Sequence, residues 1–144
     1  MPRVTFDKFA VDVPQGWIDV TDSLEMTDSP HTLARPDGVG ALQFSIALYQ
    51  SGPEPNPSPE VLREMVEEFG ASHGLGEPSA VVVESGPLRL AAGSFSWDDD
   101  FLRVWQVSDG KSFAFVTYTC SANDVGPEVA ECEMIVRTIV FGSQ

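Results

Sequence analysis

Apolar and polar side chains alternate along several short segments of the chain, and a period of two is typical of strands with one buried face. The first of these segments carries Phe9, Val11 and Val13 on one face and ends at the turn residues Pro14 and Gly16. Further alternating or continuously apolar segments occupy residues 17–20, 31–49, 78–97, 101–107 and 112–120. Strands are therefore predicted to dominate the fold.

Turn signals join these strands in antiparallel pairs. Asp37-Gly38 and Asp109-Gly110 stand between apolar segments, and Asp-Gly is the strongest short-range hairpin signal because it tolerates the positive φ angles of a tight turn. A Ser-Gly-Pro break at residues 85–87 divides another pair of strands. Parallel neighbours would need crossovers of about a dozen residues or more, so the pattern predicts one central antiparallel sheet of six or seven strands.

Two segments have helical periodicity. The first begins at Ser58, a residue type that caps helices, followed by Pro59, whose missing N–H costs nothing in the first turn. Its apolar residues recur at helical spacing from 61 to 69, and Gly70 is the expected end. Prolines at every second position from 53 to 59 predict a stiff, extended connector before this helix.

The second helical segment begins at Pro127 and carries Cys132 and Val136 on its inner face. Residues 138–141 are then expected to return as a short edge strand. Together these elements predict an α+β fold, in which a single domain over residues 1–144 has a central antiparallel sheet flanked by two main helices.

Two of the predicted strands carry apolar side chains on both faces. In residues 101–107 and 112–120, aromatic and aliphatic side chains occupy many positions of the face that should be wet in a one-sided sheet. Either helices cover both faces, or one face is an exposed apolar patch for a partner. Trp105 beside Arg103 has the composition of a binding hot spot, although a buried tryptophan next to an arginine that extends towards water gives the same pattern.

Asp98, Asp99 and Asp100 lie between two predicted strands. A calcium-binding loop spreads its ligands over about twelve residues around a glycine, and an acid–base pair needs two carboxyl groups in different surroundings. Three adjacent aspartates offer neither, so the run is predicted to be a solvated hairpin turn. Adventitious cation binding and contact with a partner are the alternatives. The three aspartates therefore join Arg103 and Trp105 as the candidate partner-binding residues.

The sequence offers no recognisable catalytic or metal-binding motif. His31 and His73 are its two histidines, and neither belongs to an HExxH pattern or to zinc-type Cys/His spacing. Cys120 and Cys132 are predicted to be packed free thiols, although their spacing alone does not exclude a disulfide. We therefore expect no catalytic residues, no metal site and no cofactor, in a protein that is not an enzyme.

The chain is strongly acidic, with 22 Asp and Glu against eight Lys and Arg and a net charge of −14. Its basic residues are scattered singly, which speaks against binding to nucleic acid or to an anionic membrane surface. The acidity keeps the protein dispersed and is compatible with a basic protein partner. No stretch is apolar for 18 residues or more, and the N-terminal residues lack an apolar signal-peptide core. We expect a cytoplasmic protein without a membrane anchor.

The segment FAVDVPQGWIDVTD, residues 9–22, resembles the strand, Val-Pro-x-Gly-Trp turn and second strand that open domains of the PsbP-like or Mog-type fold. The DcrB-like bacterial proteins share this fold, and the order of the later elements agrees with it. The resemblance implies a central antiparallel sheet with helices on both sides. It also implies binding, since members include photosystem subunits, a Ran-binding factor, and chaperones or accessory proteins encoded beside type VI secretion effectors. Those chaperones hold apolar effector helices against the sheet.

These observations predict a non-enzymatic protein-binding domain, either a bacterial effector chaperone or an immunity-type accessory protein of a secreted toxin. A small-ligand-binding protein, which needs a deep pocket with convergent polar groups, is the first alternative. A structural or assembly subunit is the second, and a homodimer formed through a sheet face would favour it.

Overall fold

A computed structural model describes residues 3–6, 8–20 and 31–142 of the chain. Ten strands and two helices lie within these ranges, with a 3-10 turn after the ninth strand. In chain order they are β1 (Arg3–Thr5), β2 (Phe9–Asp12), β3 (Ile18–Asp19), β4 (His31–Ala34), β5 (Gly40–Ala47), α1 (Pro59–Ser72), β6 (Ser79–Glu84), β7 (Arg89–Trp97), β8 (Asp100–Ser108), β9 (Phe113–Ser121), α2 (Pro127–Val136) and β10 (Val140–Phe141). The last two residues of the FAVDVPQGWIDVTD segment lie outside the described residues.

The strands form two antiparallel sheets among the described residues. The larger has seven strands in the order β3-β4-β5-β9-β8-β7-β6, and together with the two helices it confirms the predicted α+β class. The smaller sheet, β1-β2-β10, is an addition to the predicted architecture. It pairs Ala10 of β2 with Val140 of β10. Both segments were predicted as strands, but the sequence gives no signal for pairing between positions so far apart.

The two Asp-Gly turns differ in their backbone. Gly110, between β8 and β9, has a φ of +100°, as the hairpin signal predicts. Gly38, between β4 and β5, has no positive φ, and its N–H donates to the Arg35 carbonyl at 2.9 Å. Glycine provides space at this position, because a Cβ would lie 2.5 Å from Oε2 of Glu128.

The first helix begins as predicted but ends later. Ser58 Oγ accepts a hydrogen bond from the Val61 N–H at 3.2 Å, which caps the helix. Gly70 does not end α1, which continues to Ser72. The reason for glycine here is packing, because a side chain at position 70 would overlap the ring of Phe95 on β7.

The larger sheet packs on both of its faces. One face, which we call the α2 face, lies under α2 and the smaller sheet, and the opposite face, the α1 face, packs against α1. Side chains of the α2-face core include Phe44, Trp105, Val116, Tyr118 and Ile135, and those of the α1-face core include Leu62, Val66, Ala91, Phe95 and Val104. Coverage by both layers therefore accounts for much of the two-sided apolar pattern in the central strands.

Candidate functional site

Helix α1 covers only part of the α1 face. It packs mainly against β7 and β8 and less extensively against β6, whereas β9 and β5 continue the sheet beyond it. Phe113 and Phe115 of β9 belong to this face and stay half-buried. An apolar strip is therefore open between α1 and β5, and we call it the α1 groove.

The wide end of the α1 groove is a cavity of about 810 Å³ beside the first turns of α1. Val61 and Met65 line it from the helix, and Phe113 and Phe115 line it from β9. The proline-rich connector before α1 borders the same cavity. This end therefore presents aliphatic and aromatic side chains from three different segments of the chain.

The narrow end is a cavity of about 310 Å³ beside the last turns of α1. The Phe69 ring lies 5.3 Å from the Phe115 ring of the wide end and 4.3 Å from the His73 ring, so Phe69 connects the two ends. Trp97 and Asp100, partners across the β7–β8 hairpin, also line the narrow end. Trp97 is 66% exposed, which is uncommon for so large a side chain.

Charges at the α1 groove are acidic. Among the described residues, no lysine or arginine lines either end. Asp100 lines the narrow end, and Glu64 and Glu68 follow Val61 and Met65 around the exposed side of α1 at helical spacing. Together with the net charge of −14, these carboxylates attract a basic partner and repel an acidic one.

The aspartate run forms the predicted hairpin turn. Asp98 and Asp99 are the two turn residues, and Asp100 already belongs to β8, where it pairs with Trp97. Asp98 has a φ of +52°, which aspartate tolerates better than most residues. The Asp99 carbonyl accepts the N–H of Ala122 at 2.7 Å. All three aspartates are exposed, so the turn is held by its backbone and their carboxylates lie in solvent.

Replacing Asp98, Asp99 and Asp100 together by asparagine should change the free energy of unfolding by less than about 0.5 kcal/mol, because exposed positions rarely contribute more. Thermal denaturation with and without calcium measures this effect. A calcium-dependent rise in the Tm of the parent protein that the triple variant lacks would contradict a metal-free turn.

Arg103 and Trp105 lie on the opposite side of the sheet from the α1 groove. Arg103 is 4% exposed and Trp105 is 0% exposed. The Arg103 guanidinium donates to Glu133 of α2 and, at 2.8 Å, to Ser94 Oγ, while Trp105 Nε1 donates to Glu133 Oε2 at 3.1 Å. Neither side chain presents a surface in this arrangement, so the structure separates them from the three aspartates with which the sequence grouped them. Trp105 is buried, as in the alternative interpretation, but Arg103 is buried as well and does not extend towards water.

Three glutamates of α2 were missed as structural residues. Glu133 holds Arg103 and Trp105, and Glu131 accepts a hydrogen bond from Trp17 Nε1 at 2.7 Å. Glu128 accepts bonds from the backbone between β4 and β5 and from a buried tyrosine hydroxyl. Acidic residues on a helix normally face solvent. A signal for them was available in the sequence. Tryptophan and tyrosine side chains that are buried need an acceptor for their N–H or O–H, and the glutamates of the neighbouring helix can supply it.

The cysteines are free and buried, as predicted. Burial raises the pKa of both Cys120 and Cys132, which disfavours the thiolate, the reactive form of cysteine. Burial, followed by hydrogen bonds involving Cys120 and Glu128, also raises the pKa of Tyr118. Its hydroxyl therefore stays protonated and donates to Glu128 Oε1 at 3.0 Å.

The ionisable side chains that line the α1 groove are His73 and Asp100, both at the narrow end. Within residues 3–6, 8–20 and 31–142, no three His, Cys, Asp or Glu side chains gather closely enough to hold a metal ion. Neither helix in these ranges is both long and apolar enough to span a membrane.

The fold matches solved structures at very low sequence identity. The solution structure of cyanobacterial PsbP (CyanoP) from Synechocystis sp. PCC 6803 aligns with a TM-score of 0.62 at 10% identity, over 97% of this chain and 91% of that chain. A 1.50 Å crystal structure from Bacteroides thetaiotaomicron VPI-5482 aligns with a TM-score of 0.55 at 13% identity, over 94% of this chain and 46% of that longer chain. The protein thus has a PsbP-like fold, as its opening segment predicted.

No protein-family model and no curated protein matches the sequence. The structural likeness therefore concerns the fold, and a fold hosts many functions. Function must be argued from the α1 groove.

Proposed function

We propose that the protein is a non-enzymatic protein-binding domain that holds an apolar segment of a partner protein in the α1 groove. The observation that carries this proposal is that α1 covers only part of the α1 face and leaves the apolar α1 groove open to solvent. Exposed apolar surface is costly in water, and a contiguous patch of it typically marks an interaction site. Trp97 at one end and Val61 at the other are among the large apolar side chains that stay exposed.

The length of the α1 groove favours a peptide segment. Phe113 and Thr119 lie at its two ends and are six residues apart on β9, which corresponds to roughly 20 Å of strand. An α-helix of about 13 residues has the same length. An amphipathic helix laid in an apolar groove is a common mode of peptide recognition, and the open strip beside α1 has the shape this mode requires.

The acidity narrows the partner class to basic proteins. Net charge steers encounters between oppositely charged proteins and disfavours like-charged ones. The partner we propose is a secreted effector or toxin. This protein would be its bacterial cytoplasmic chaperone or an immunity-type accessory protein. This choice draws on the resemblance of the segment at residues 9–22 to the DcrB-like proteins, which include effector chaperones.

A small-ligand-binding function is the second candidate. The wide end, at about 810 Å³, falls within the range of roughly 300–1,000 Å³ that is typical of ligand pockets. Such a ligand would be mainly apolar, because the side chains that line this end are mainly aliphatic or aromatic.

Val61→Glu is the variant that tests the α1 groove with the least risk to the fold. Residue 61 is 43% exposed, and a glutamate there would lie in the first turn of α1, three residues after the capping Ser58, where a negative charge interacts favourably with the helix dipole. The same substitution places a charge against any apolar segment in the groove. Met134→Glu, at a 49% exposed position on α2, is the matched control outside it.

Tagged wild-type protein and both variants should be expressed in the native host and purified under identical conditions. We expect a partner that co-purifies with the wild type and Met134→Glu and falls at least tenfold with Val61→Glu, since burying an unpaired charge costs more than about 1.4 kcal/mol. Equal recovery with Val61→Glu would contradict the proposal. A stable homodimer as the species lost with Val61→Glu would favour a structural subunit instead.

A further inference from the structure

The narrow end of the α1 groove combines aromatic rings with a carboxylate. Trp97 and Asp100 are partners across the β7–β8 hairpin, and both line the cavity together with the paired rings of Phe69 and His73. Aromatic faces attract cations through the ring quadrupole. Carboxylates bind ammonium and guanidinium groups through charge-assisted hydrogen bonds. A basic side chain would use both features at once.

The described part of the protein supplies no such cation to this site. Arg103, on the same hairpin, is bonded to Glu133 on the α2 face, and Arg63 of α1 pairs with Glu67. Among the described residues, Asp100 takes part in no ion pair. The site therefore has an exposed aromatic ring and an unneutralised carboxylate in a protein of net charge −14.

We propose that the narrow end is a subsite for a lysine or arginine side chain of the segment bound in the α1 groove, an inference that rests on the proposed function. Apolar side chains of the same segment occupy the wide end. Phe115 and Thr119 lie four residues apart on β9 and belong to the two ends, which separates the subsites by roughly 13 Å. In a helical segment this distance corresponds to about nine residues between the apolar anchors and the basic residue.

A phage-displayed library of random 16-residue peptides provides the probe, because it presumes no partner. The library is panned in parallel on wild-type protein, Val61→Glu, Asp100→Asn and Asp98→Asn. Asp98→Asn is the matched control, since it removes the same charge from the same exposed turn but from a side chain that does not line the cavity. Thermal denaturation confirms that each variant is folded.

Wild-type protein should enrich apolar peptides that carry a lysine or arginine at the expected spacing. The basic preference should weaken on Asp100→Asn, which keeps only the aromatic contact, and should stay undiminished on Asp98→Asn. For an enriched peptide, changing its basic residue to glutamine should weaken binding to the wild type about tenfold, as expected for a partly exposed ion pair with an added cation–π contact. The same change should alter binding to Asp100→Asn by only about two- to fivefold, because the cation–π contact with Trp97 remains when the carboxylate is removed.

The other results separate the two proposals. Enrichment of apolar peptides without a basic residue, lost on Val61→Glu, would overturn the cation subsite and leave the proposed function standing. A basic preference as strong on Asp100→Asn as on the wild type would also overturn the subsite, since overall charge would then explain it. Failure of the wild type to enrich any peptide beyond the Val61→Glu background would count against the proposed function and remove the subsite with it.

Discussion

Replacing Glu133 by alanine is expected to lower the free energy of unfolding by about 3–5 kcal/mol, the cost of removing one partner from a buried ion pair. Glu133 is the carboxylate that neutralises Arg103, whose side chain is almost fully buried between α2 and the sheet. It also accepts the indole N–H of Trp105. Without it, the buried guanidinium loses its neutralising carboxylate and the buried indole N–H loses its acceptor. For a domain of this size the Tm should fall by roughly 10 °C.

Glu67→Ala provides the comparison for this substitution. Glu67 also lies in a helix and also pairs with an arginine, but both side chains of the Arg63–Glu67 pair are about half exposed, so its removal should cost less than about 0.5 kcal/mol. Chemical denaturation of both variants measures the difference. A Glu133→Ala cost as small as that of Glu67→Ala would mean that water replaces the carboxylate and that Arg103 is not a buried charge in solution.

Local signals predicted most elements of the fold. The Asp-Gly hairpin at Gly110 and the cap at Ser58 depend on backbone rules that act within a few residues, and both are present. Gly70 was mistaken for a helix end because the sequence shows a missing side chain but not the Phe95 ring that needs the space. The smaller sheet escaped prediction because β2 and β10, although each was predicted as a strand, pair across most of the length of the chain.

The candidate site was predicted less well than the fold. Apolar residues on both faces of β8 and β9 indicated either two covering layers or an exposed patch, and could not decide between them because which part of a face stays open depends on where α1 lies. Trp105 and Arg103 fitted both a binding hot spot and a buried tryptophan, because composition alone does not reveal the Glu133 carboxylate that binds them. Trp97 was not among the predicted site residues, although it directly precedes the predicted turn. In the structure it is exposed and lines the narrow end of the α1 groove.

The two faces of the sheet bind their helices through different kinds of interaction. On the α2 face, carboxylates of α2 bind buried donors of the sheet, and such bonds fix one position of the helix because leaving a buried donor unpaired is costly. On the α1 face, the cluster under α1 is apolar, and apolar contacts are less directional. A partner segment can therefore add to the α1 face by the same apolar contacts, whereas α2 and the smaller sheet already pack on the α2 face.

Replacing Glu128 by alanine is the second substitution with a large expected effect. It should lower the free energy of unfolding by about 2–4 kcal/mol. Its carboxylate accepts hydrogen bonds from the fully buried Tyr118 hydroxyl at 3.0 Å and from the backbone N–H groups of Val39 and Gly40 at 3.1 and 3.2 Å. An unsatisfied buried donor costs about 1–3 kcal/mol, and bonds to a charged acceptor lie at the upper end. Chemical denaturation measures the loss.

Tyr118→Phe separates the buried donor from the other contributions. In that background Glu128→Ala should cost less than in the wild type, because no hydroxyl is then left unsatisfied at position 118. Equal costs in both backgrounds would show that Tyr118 finds another acceptor, and the carboxylate would then act on the β4–β5 connection alone.

Glu128→Gln keeps an acceptor at the same site and should remain folded. Because it alters the α2 face only, peptides selected for the α1 groove should bind this variant as they bind the wild type, and a weakened affinity would mean that the two faces are coupled through the sheet.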